Sequence, residues 1–141
     1  MSEGRKRRVA VYGVCIDSDD RVLLVRASRQ LTVAGRWFLP GGGLEFGEEP
    51  LETLRREFRE ETGLTVGNES LRGVLSDLTT LPDETLLHTI RIIYTVQTWT
   101  GVERAEDDGS SDGILWVKRS DLGSLPDPVL PYVTRAVFDL A

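Results

Sequence analysis

Cysteine and histidine are nearly absent from this chain. Its 141 residues include one cysteine, Cys15, and one histidine, His88. A single thiol cannot form an intramolecular disulfide, and a zinc cluster built on cysteine has no ligands. His88 stands at the head of a strand-like segment, where packing or a place at the rim is more common than metal binding. We therefore expect a cytoplasmic protein in which Cys15 is a small core residue.

Positive charge and long apolar runs are also scarce. Seventeen Lys and Arg stand against 23 Asp and Glu, which gives a net charge of −6. This balance argues against a protein that binds nucleic acid through its whole surface. An anionic substrate must then meet local positive charge, which a bound metal ion can supply. No apolar stretch approaches the roughly 20 residues that span a bilayer, so a membrane protein is excluded.

The N-terminus combines four basic residues, positions 5–8, with an apolar run over positions 9–16. The pattern superficially resembles a secretory signal, but Asp17 ends the run and no small-residue cleavage site follows. A short charged terminus is usually solvated chain, although it can also be an arm that touches nucleic acid. We therefore expect a flexible basic arm over residues 1–8 and one domain over residues 9–141.

The remaining sequence predicts one α/β unit with a mixed sheet and helices packed on it. Apolar, β-branched runs predict strands over residues 9–16, 21–27, 65–66, 71–78, 86–99 and 114–118. Four turn-forming residues, 17–20, predict a hairpin between the first two strands. A helix is predicted to begin at Pro50 and to end before Gly63, and a second to span residues 132–140.

The first helix carries three acids, Glu57, Glu60 and Glu61, at positions i, i+3 and i+4. They form a stripe separate from the apolar one, and their mutual repulsion costs about 0.2–0.5 kcal/mol per pair. A solvated acidic face is the ordinary interpretation, but acids near a helix C-terminus have no local rationale without a cation. The preceding glycines, 41–43, let backbone carbonyls approach the same ion. Carboxylate and carbonyl oxygens are the ligands of magnesium.

The segment over residues 42–64, GGLEFGEEPLETLRREFREETGL, resembles the Nudix box. The specified positions of that pattern are filled by Gly42, Glu48, Arg56, Glu57, Phe58, Glu60, Glu61, Gly63 and Leu64. The lead-in over residues 37–43 is similar to that of the family as well. The resemblance implies an α/β/α sandwich with a mixed sheet, and a hydrolase that uses Mg²⁺, or Mn²⁺ as a substitute, to cleave a diphosphate linkage.

The resemblance also implies roles for individual residues. Glu57 and Glu61 become the main magnesium ligands, and Glu60 becomes a further ligand or the proton acceptor. Gly41 supplies the matching loop carbonyl. Arg56 lies four residues before Glu60 and is expected to orient it, although a surface ion pair is the alternative.

Two further parts of the sequence leave alternatives open. Glu48, at the start of the helix, either caps the helix or joins the metal network, while Gly42 and Gly63 are structural positions of the box. Family members often place another catalytic acid in a loop before a late strand. The acids of the corresponding loop, residues 101–113, are Glu103, Glu106, Asp107, Asp108 and Asp112. Glu106 and Asp112 are our first choices; Gly113 stands where many relatives carry Glu.

Substrate preference is not specified by the box. Trp37 and Trp99 can stack on a base but more often such residues belong to the core or its rim. The leading expectation is a nucleoside triphosphate pyrophosphohydrolase, and the rival is hydrolysis of an NDP-sugar or ADP-ribose. A nucleotide sensor without catalysis is a third class, against which the intact box argues. The expected partner is a small nucleotide-type molecule, and the chain is compatible with a homodimer.

Overall fold

A computed structural model describes residues 4–31, 33–107 and 109–140. The strands are β1 Arg5–Val14, β2 Arg21–Ala27, β3 Trp37–Phe38, β4 Gly41–Gly43, β5 Thr65–Thr80, β6 Leu86–Thr100 and β7 Ser111–Lys118. Helix α1 spans Pro50–Thr62, and α2 spans Pro131–Thr134 and continues as π-helical turns over Arg135–Asp139. A 3₁₀ helix over Arg119–Ser124 follows β7. None of the described helices is long and apolar enough to cross a membrane.

The strands form two sheets. One has the order β4-β1-β6-β5, with β1 parallel to β6 and antiparallel to β4, and the other has the order β3-β2-β7. Helix α1 packs Leu54 and Phe58 against Val11 and Val96. A Cβ on Gly13 would lie 2.6 Å from the Phe58 ring, so the helix reaches the sheet only because this residue is glycine. The predicted α/β fold with a mixed sheet is confirmed.

The N-terminal segment differs from its prediction. Residues 5–8, expected in a flexible arm, are the first part of β1 and pair with residues 86–89 of β6. The parallel ladder satisfies the backbone of this segment, while its charged side chains stay exposed on the strand. Residues 1–3 of the predicted arm lie outside the described part of the chain.

The turn over residues 17–20 forms, and the hairpin predicted around it is short. The Asp17 carboxylate accepts hydrogen bonds from the backbone N–H groups of Asp19 and Arg21. Backbone hydrogen bonds join Asp17 to Arg21 and Leu23 to Cys15, on either side of an antiparallel bridge between Ile16 and Val22. Strands β1 and β2 then enter different sheets, because both edges of β1 are occupied by β4 and β6. The prediction of two separate strands over residues 65–78 is also corrected: β5 is continuous, with a bulge between Leu71 and Gly73.

Arg72, beside this bulge, holds the C-terminal helical turns. Its guanidinium donates to the carbonyls of Ala136 and Val137 at 2.8 and 2.7 Å and to Thr95 Oγ1 at 3.1 Å. Hydrogen bonds from a charged donor are worth more than neutral ones, so we expect Arg72→Ala to lower the free energy of unfolding by about 2 kcal/mol. Urea unfolding measures this value. Arg72→Lys should recover only part of the loss, since an ammonium cannot reach all three acceptors, and an unchanged Arg72→Ala midpoint would contradict the assignment.

Candidate active site

The geometry of the site begins with the two ends of α1. Glu49 and Glu52 form a capping box at the N-terminus, and Gly63 ends the helix at φ 79° with its N–H donating to the Arg59 carbonyl at 3.1 Å. A Cβ on Gly63 would also lie 2.6 Å from the Val102 carbonyl oxygen. Glycine is therefore required at position 63 both by its backbone conformation and by the space available.

Glu61 is the acid buried most deeply, with 1% of its surface exposed. Its Oε1 accepts the Gly41 N–H at 2.8 Å, and its Oε2 is buried without a hydrogen-bond partner among the described residues. Burial, followed by the charge of Glu57, raises the pKa of Glu61 well above its ordinary value. A buried carboxylate oxygen without a donor is costly to the fold, and a bound cation removes that cost.

Glu57 lies one turn earlier, against Gly42. A Cβ on Gly42 would lie 2.9 Å from the Glu57 carboxyl carbon, so a side chain at position 42 would occupy the space of the carboxylate. Burial, with smaller contributions from the charges of Glu60 and Glu106, raises the pKa of Glu57 to about 7 against the lowering effect of Arg56. Both Glu57 and Glu61 therefore contact the glycine strand β4, Glu57 at Gly42 and Glu61 at Gly41.

Arg56 gathers the remaining acids of the box. Its guanidinium lies 3.0 Å from Glu48, 2.9 Å from Glu57 and 3.3 Å from Glu60. The hydrogen bond from Arg56 holds the pKa of Glu48 down at about 2. Of the two interpretations of Glu48, the geometry favours the network, because the helix N-cap is Glu49 instead. Arg56 contacts Glu60 as expected, but it contacts Glu57 more closely.

Glu60 lies on the outer side of this cluster, with 47% of its side chain exposed. In the described part of the chain, no three Asp, Glu, His or Cys side chains converge tightly enough to enclose an ion, since Arg56 draws Glu57 and Glu60 to itself. The pair Glu57 and Glu61 nevertheless fits a hard divalent cation. Both are oxygen donors, Glu61 Oε2 has no partner, and Gly42 leaves room at the carboxylate of Glu57. Gly41 contacts Glu61 through its N–H, and a ligand role for its carbonyl stays a prediction.

The two loop acids chosen from the sequence lie in different surroundings. Glu106 accepts hydrogen bonds from the Ser111 N–H and hydroxyl at 3.2 and 3.0 Å, and its charge raises the pKa values of both Glu57 and Glu61. Asp112 pairs with Arg26 of β2 at 2.8 Å instead. The structure therefore brings Glu106, rather than Asp112, towards the box acids.

The other acids of this loop have separate surroundings. Glu103 accepts the indole N–H of Trp116. Asp107 is exposed, and Asp108 lies outside the described residues.

A cavity of about 860 Å³ adjoins Glu57, Glu61 and the three glycines of β4. Its walls contain apolar residues, two tyrosines and four arginines: Leu31, Val33, Phe38, Leu78, Leu81, Leu87, Leu130, Tyr12, Tyr132, Arg8, Arg36, Arg91 and Arg135. Arg91 lies 4.0 Å from the centre of the Tyr132 ring and pairs with Asp77 at 3.0 Å. A pocket of this size, with polar groups at fixed places in apolar walls, is typical of small-molecule sites.

Sequence reasoning missed the cationic side of this cavity. Because alternate residues of a strand lie on the same face, extending β1 back to residue 8 would have placed Arg8 on the face of Ala10 and Tyr12. No comparable signal marked Arg91 or Tyr132, which come to the cavity from β6 and the C-terminal helix.

The more modest expectations for four other residues are confirmed. Trp37 packs against the core, and Trp99 pairs with Trp116 at 5.6 Å. His88 accepts a hydrogen bond from Arg7 at the strand rim, and Cys15 is buried in the core.

The family model described as NUDIX domain matches residues 6–136. The chain belongs to the Nudix hydrolase family. It is 32% identical over 117 residues to the uncharacterized Nudix hydrolase YvcI of Bacillus subtilis, covering 82% of this chain and 70% of that protein. It is 35% identical over 119 residues to an ADP-ribose pyrophosphatase of Methanocaldococcus jannaschii, covering 84% of this chain and 64% of the relative. The crystal structure of a MutT NUDIX hydrolase from Burkholderia pseudomallei superposes with a TM-score of 0.79 and 26% identity, covering 94% of this chain and 96% of that one.

Membership of the family agrees with the geometry of the box. In this Nudix domain the two acids that the resemblance assigns to metal, Glu57 and Glu61, are those that meet the glycine strand. Nudix hydrolases act on small molecules with the help of divalent ions, and this site offers the oxygen donors that such an ion requires.

Proposed function

We propose that this Nudix hydrolase uses Mg²⁺, with Mn²⁺ as a substitute, to cleave the diphosphate linkage of a nucleotide-type substrate. The observation that supports this most strongly is the contact of Glu57 and Glu61 with Gly42 and Gly41 at the edge of the cavity. It combines a cation site with space for the rest of a substrate. A non-catalytic sensor would have no need of a buried carboxylate whose second oxygen lacks a donor.

In the proposed mechanism, Glu57 and Glu61 would hold the ion, and Gly41 could add its carbonyl. Mg²⁺ bound there would neutralise phosphate oxygens and lower the pKa of a water molecule. Glu60, whose carboxylate is half exposed, accepts the proton from the attacking water, and Glu106 is the second candidate for this role. Arg56 orients Glu57 and Glu60. The products are a nucleoside monophosphate and either pyrophosphate or a phosphorylated remainder.

For the substrate we propose a nucleoside triphosphate, so that the enzyme is a pyrophosphohydrolase. An NDP-sugar or ADP-ribose is the second candidate, favoured by the relative from Methanocaldococcus jannaschii, which is named an ADP-ribose pyrophosphatase. The cavity, at about 860 Å³, accommodates either a nucleoside or a larger group. We also propose the cytoplasm as the compartment, supported by the single cysteine, while a homodimer stays a prediction.

A release assay tests this proposal. The purified chain is incubated with nucleoside triphosphates, NDP-sugars, ADP-ribose and dinucleotides in the presence of Mg²⁺, and the products are separated by ion-exchange chromatography. We expect at least one panel member to yield a nucleoside monophosphate, with rates lost in excess EDTA and restored by Mg²⁺ or Mn²⁺. Full activity in EDTA would exclude the mechanism, and cleavage of no panel member would favour the sensor.

Glu106 and Asp112 allow a matched test of the second acid. We expect Glu106→Gln to lower kcat by about 10- to 100-fold, because its carboxylate faces Glu57 and Glu61 and is a candidate for proton transfer. Asp112→Asn, which loses the same charge in an ion pair with Arg26, should change kcat by less than about threefold. Steady-state rates at saturating substrate give kcat for both variants and show which acid is needed. A larger loss in Asp112→Asn would transfer the role to Asp112.

A further inference from the structure

Arg8 stands at the junction of the cavity and the glycine strand. On β1 its side chain shares a face with Ala10 and Tyr12, and both Arg8 and Tyr12 line the cavity. A Cβ on Gly43 would lie 3.2 Å from Arg8 Nε and 3.5 Å from its Nη2. The guanidinium therefore lies over a residue without a side chain, next to the two glycines that contact Glu57 and Glu61.

Among the four arginines of the cavity, Arg8 is the one that lies beside the glycine strand with a guanidinium able to bind an anion there. Arg91 donates to Asp77 and to the Tyr12 hydroxyl, and Arg36 donates to the backbone carbonyls of residues 128 and 129. Arg8 has no hydrogen-bond or ion-pair partner within the residues that the structure describes. Arg135 also lacks an acidic partner there, but it belongs to the C-terminal helical turns rather than to the strand beside β4.

Strand β4 separates Arg8 from the acids of the box. Successive residues of a strand point to opposite faces, so Gly42 faces Glu57 while Gly43 faces Arg8. Three glycines leave no side chain above this edge strand. A diphosphate lying across the edge would therefore have one phosphate beside Glu57 and Glu61 and its neighbour beside Arg8.

We propose that Arg8 binds the substrate phosphate on the cavity side of β4, and this inference rests on the proposed diphosphate hydrolysis. A guanidinium can donate two parallel hydrogen bonds to two phosphate oxygens, which fixes the position of the group as well as its charge. The substrate then retains a phosphate on the side of the linkage that enters the cavity. A nucleoside monophosphate, with that phosphate at Arg8, binds even without metal.

Arg7 provides the matched control. It is the preceding residue of the same exposed strand segment, but it faces away from the cavity and donates to His88 at 3.2 Å. We expect Arg8→Ala to raise KM by about 10-fold or more for the substrate found in the release assay, with kcat changed by less than about threefold. Arg7→Ala, with the same loss of charge, should keep both constants. Arg8→Lys should recover part of the loss, because it keeps the charge without the two-pronged geometry.

A binding measurement in EDTA separates this inference from the proposed function. AMP, GMP and the corresponding nucleosides are titrated into the metal-free wild-type protein, Arg7→Ala and Arg8→Ala by isothermal calorimetry. We expect the wild type and Arg7→Ala to bind a monophosphate at least about 10-fold more tightly than its nucleoside, and Arg8→Ala to lose this preference. Retained preference with no hydrolysis of any panel member would overturn the proposed function alone. If Arg8→Ala matches Arg7→Ala in KM, or if the wild type shows no preference for the monophosphate, the inference about Arg8 is wrong.

Discussion

Glu61→Gln and Glu57→Gln are each expected to lower kcat by about 1000-fold while the fold stays intact. Glutamine has the shape of glutamate, and its amide oxygen can still accept the Gly41 N–H at position 61. The substitution removes only the negative charge, which the proposed ion needs. Glu61 is buried at the edge of β4 and Glu57 lies against Gly42, so water cannot readily replace either carboxylate as a ligand.

Metal titration distinguishes a ligand from a proton acceptor. For Glu57→Gln and Glu61→Gln, the Mg²⁺ concentration that gives half of the maximal rate should rise by about 10-fold or more. For Glu60→Gln, a fall in kcat with an unchanged Mg²⁺ requirement would identify a proton acceptor. Glu52→Gln is the control on the same helix, because glutamine at that position preserves the capping box with Glu49. Near-normal turnover of Glu57→Gln or Glu61→Gln would remove that residue from the metal site.

The parts of this fold that were predictable depend on local sequence. Proline at the first helical position and glycine after the last give α1 its bounds, and the spacing of Glu57, Glu60 and Glu61 follows from those bounds alone. Strand β2 has the predicted bounds because its apolar run stops at a turn on one side and a polar stretch on the other. Such signals need no information about distant residues.

The unpredictable parts depend on pairing between distant segments. The sequence places Glu60 and Glu61 in one stripe, but β4 covers Glu61 and leaves Glu60 nearly half exposed. The sequence predicts Arg8 in an arm because its partner strand, β6, begins only at Leu86, far along the chain. The approach of the 101–113 loop likewise separates Glu106 from Asp112 through contacts with Ser111 and Arg26. Periodicity describes the face of a single element and contains no information on what covers that face.

The stability of the metal-free protein should fall as pH rises from about 5 to 8. Glu57 has its pKa raised from 4.5 to about 7 in the folded state, and the pKa of Glu61 is raised well above 4.5. The folded state therefore holds protons that the unfolded chain has released, and unfolding becomes more favourable as pH rises through this range. The contribution of Glu57 is about 2 kcal/mol after an allowance for its partial exposure to solvent.

Thermal melts in EDTA and in Mg²⁺, at pH 5 and pH 8, measure this dependence. We expect Glu57→Gln and Glu61→Gln to be more stable than the wild type at pH 8 in EDTA, because each removes a carboxylate that costs free energy when ionised. Mg²⁺ should raise the melting temperature of the wild type at pH 8 and have little effect on either variant. If both variants were less stable than the wild type at pH 8 in EDTA, the two carboxylates would stabilise the metal-free fold, which would contradict a role as metal ligands placed at a cost to stability.

The neighbouring acids Glu48 and Glu60 are not expected to contribute to the fall in stability between pH 5 and 8. The pKa of Glu48 is lowered to about 2 by Arg56, so its contribution to stability is present above pH 4.5 and is lost only as pH falls towards 2. Glu60 is paired with Arg56 near the surface, where such a contact is worth at most about 1 kcal/mol, so Glu60→Gln should change metal-free stability little. A loss of stability between pH 5 and 8 that was undiminished in both Glu57→Gln and Glu61→Gln would have to come from groups outside this cluster, because each variant removes one of the two contributing carboxylates. A smaller loss in each variant than in the wild type would show that the stripe costs the metal-free fold free energy, as expected for residues placed to bind a cation.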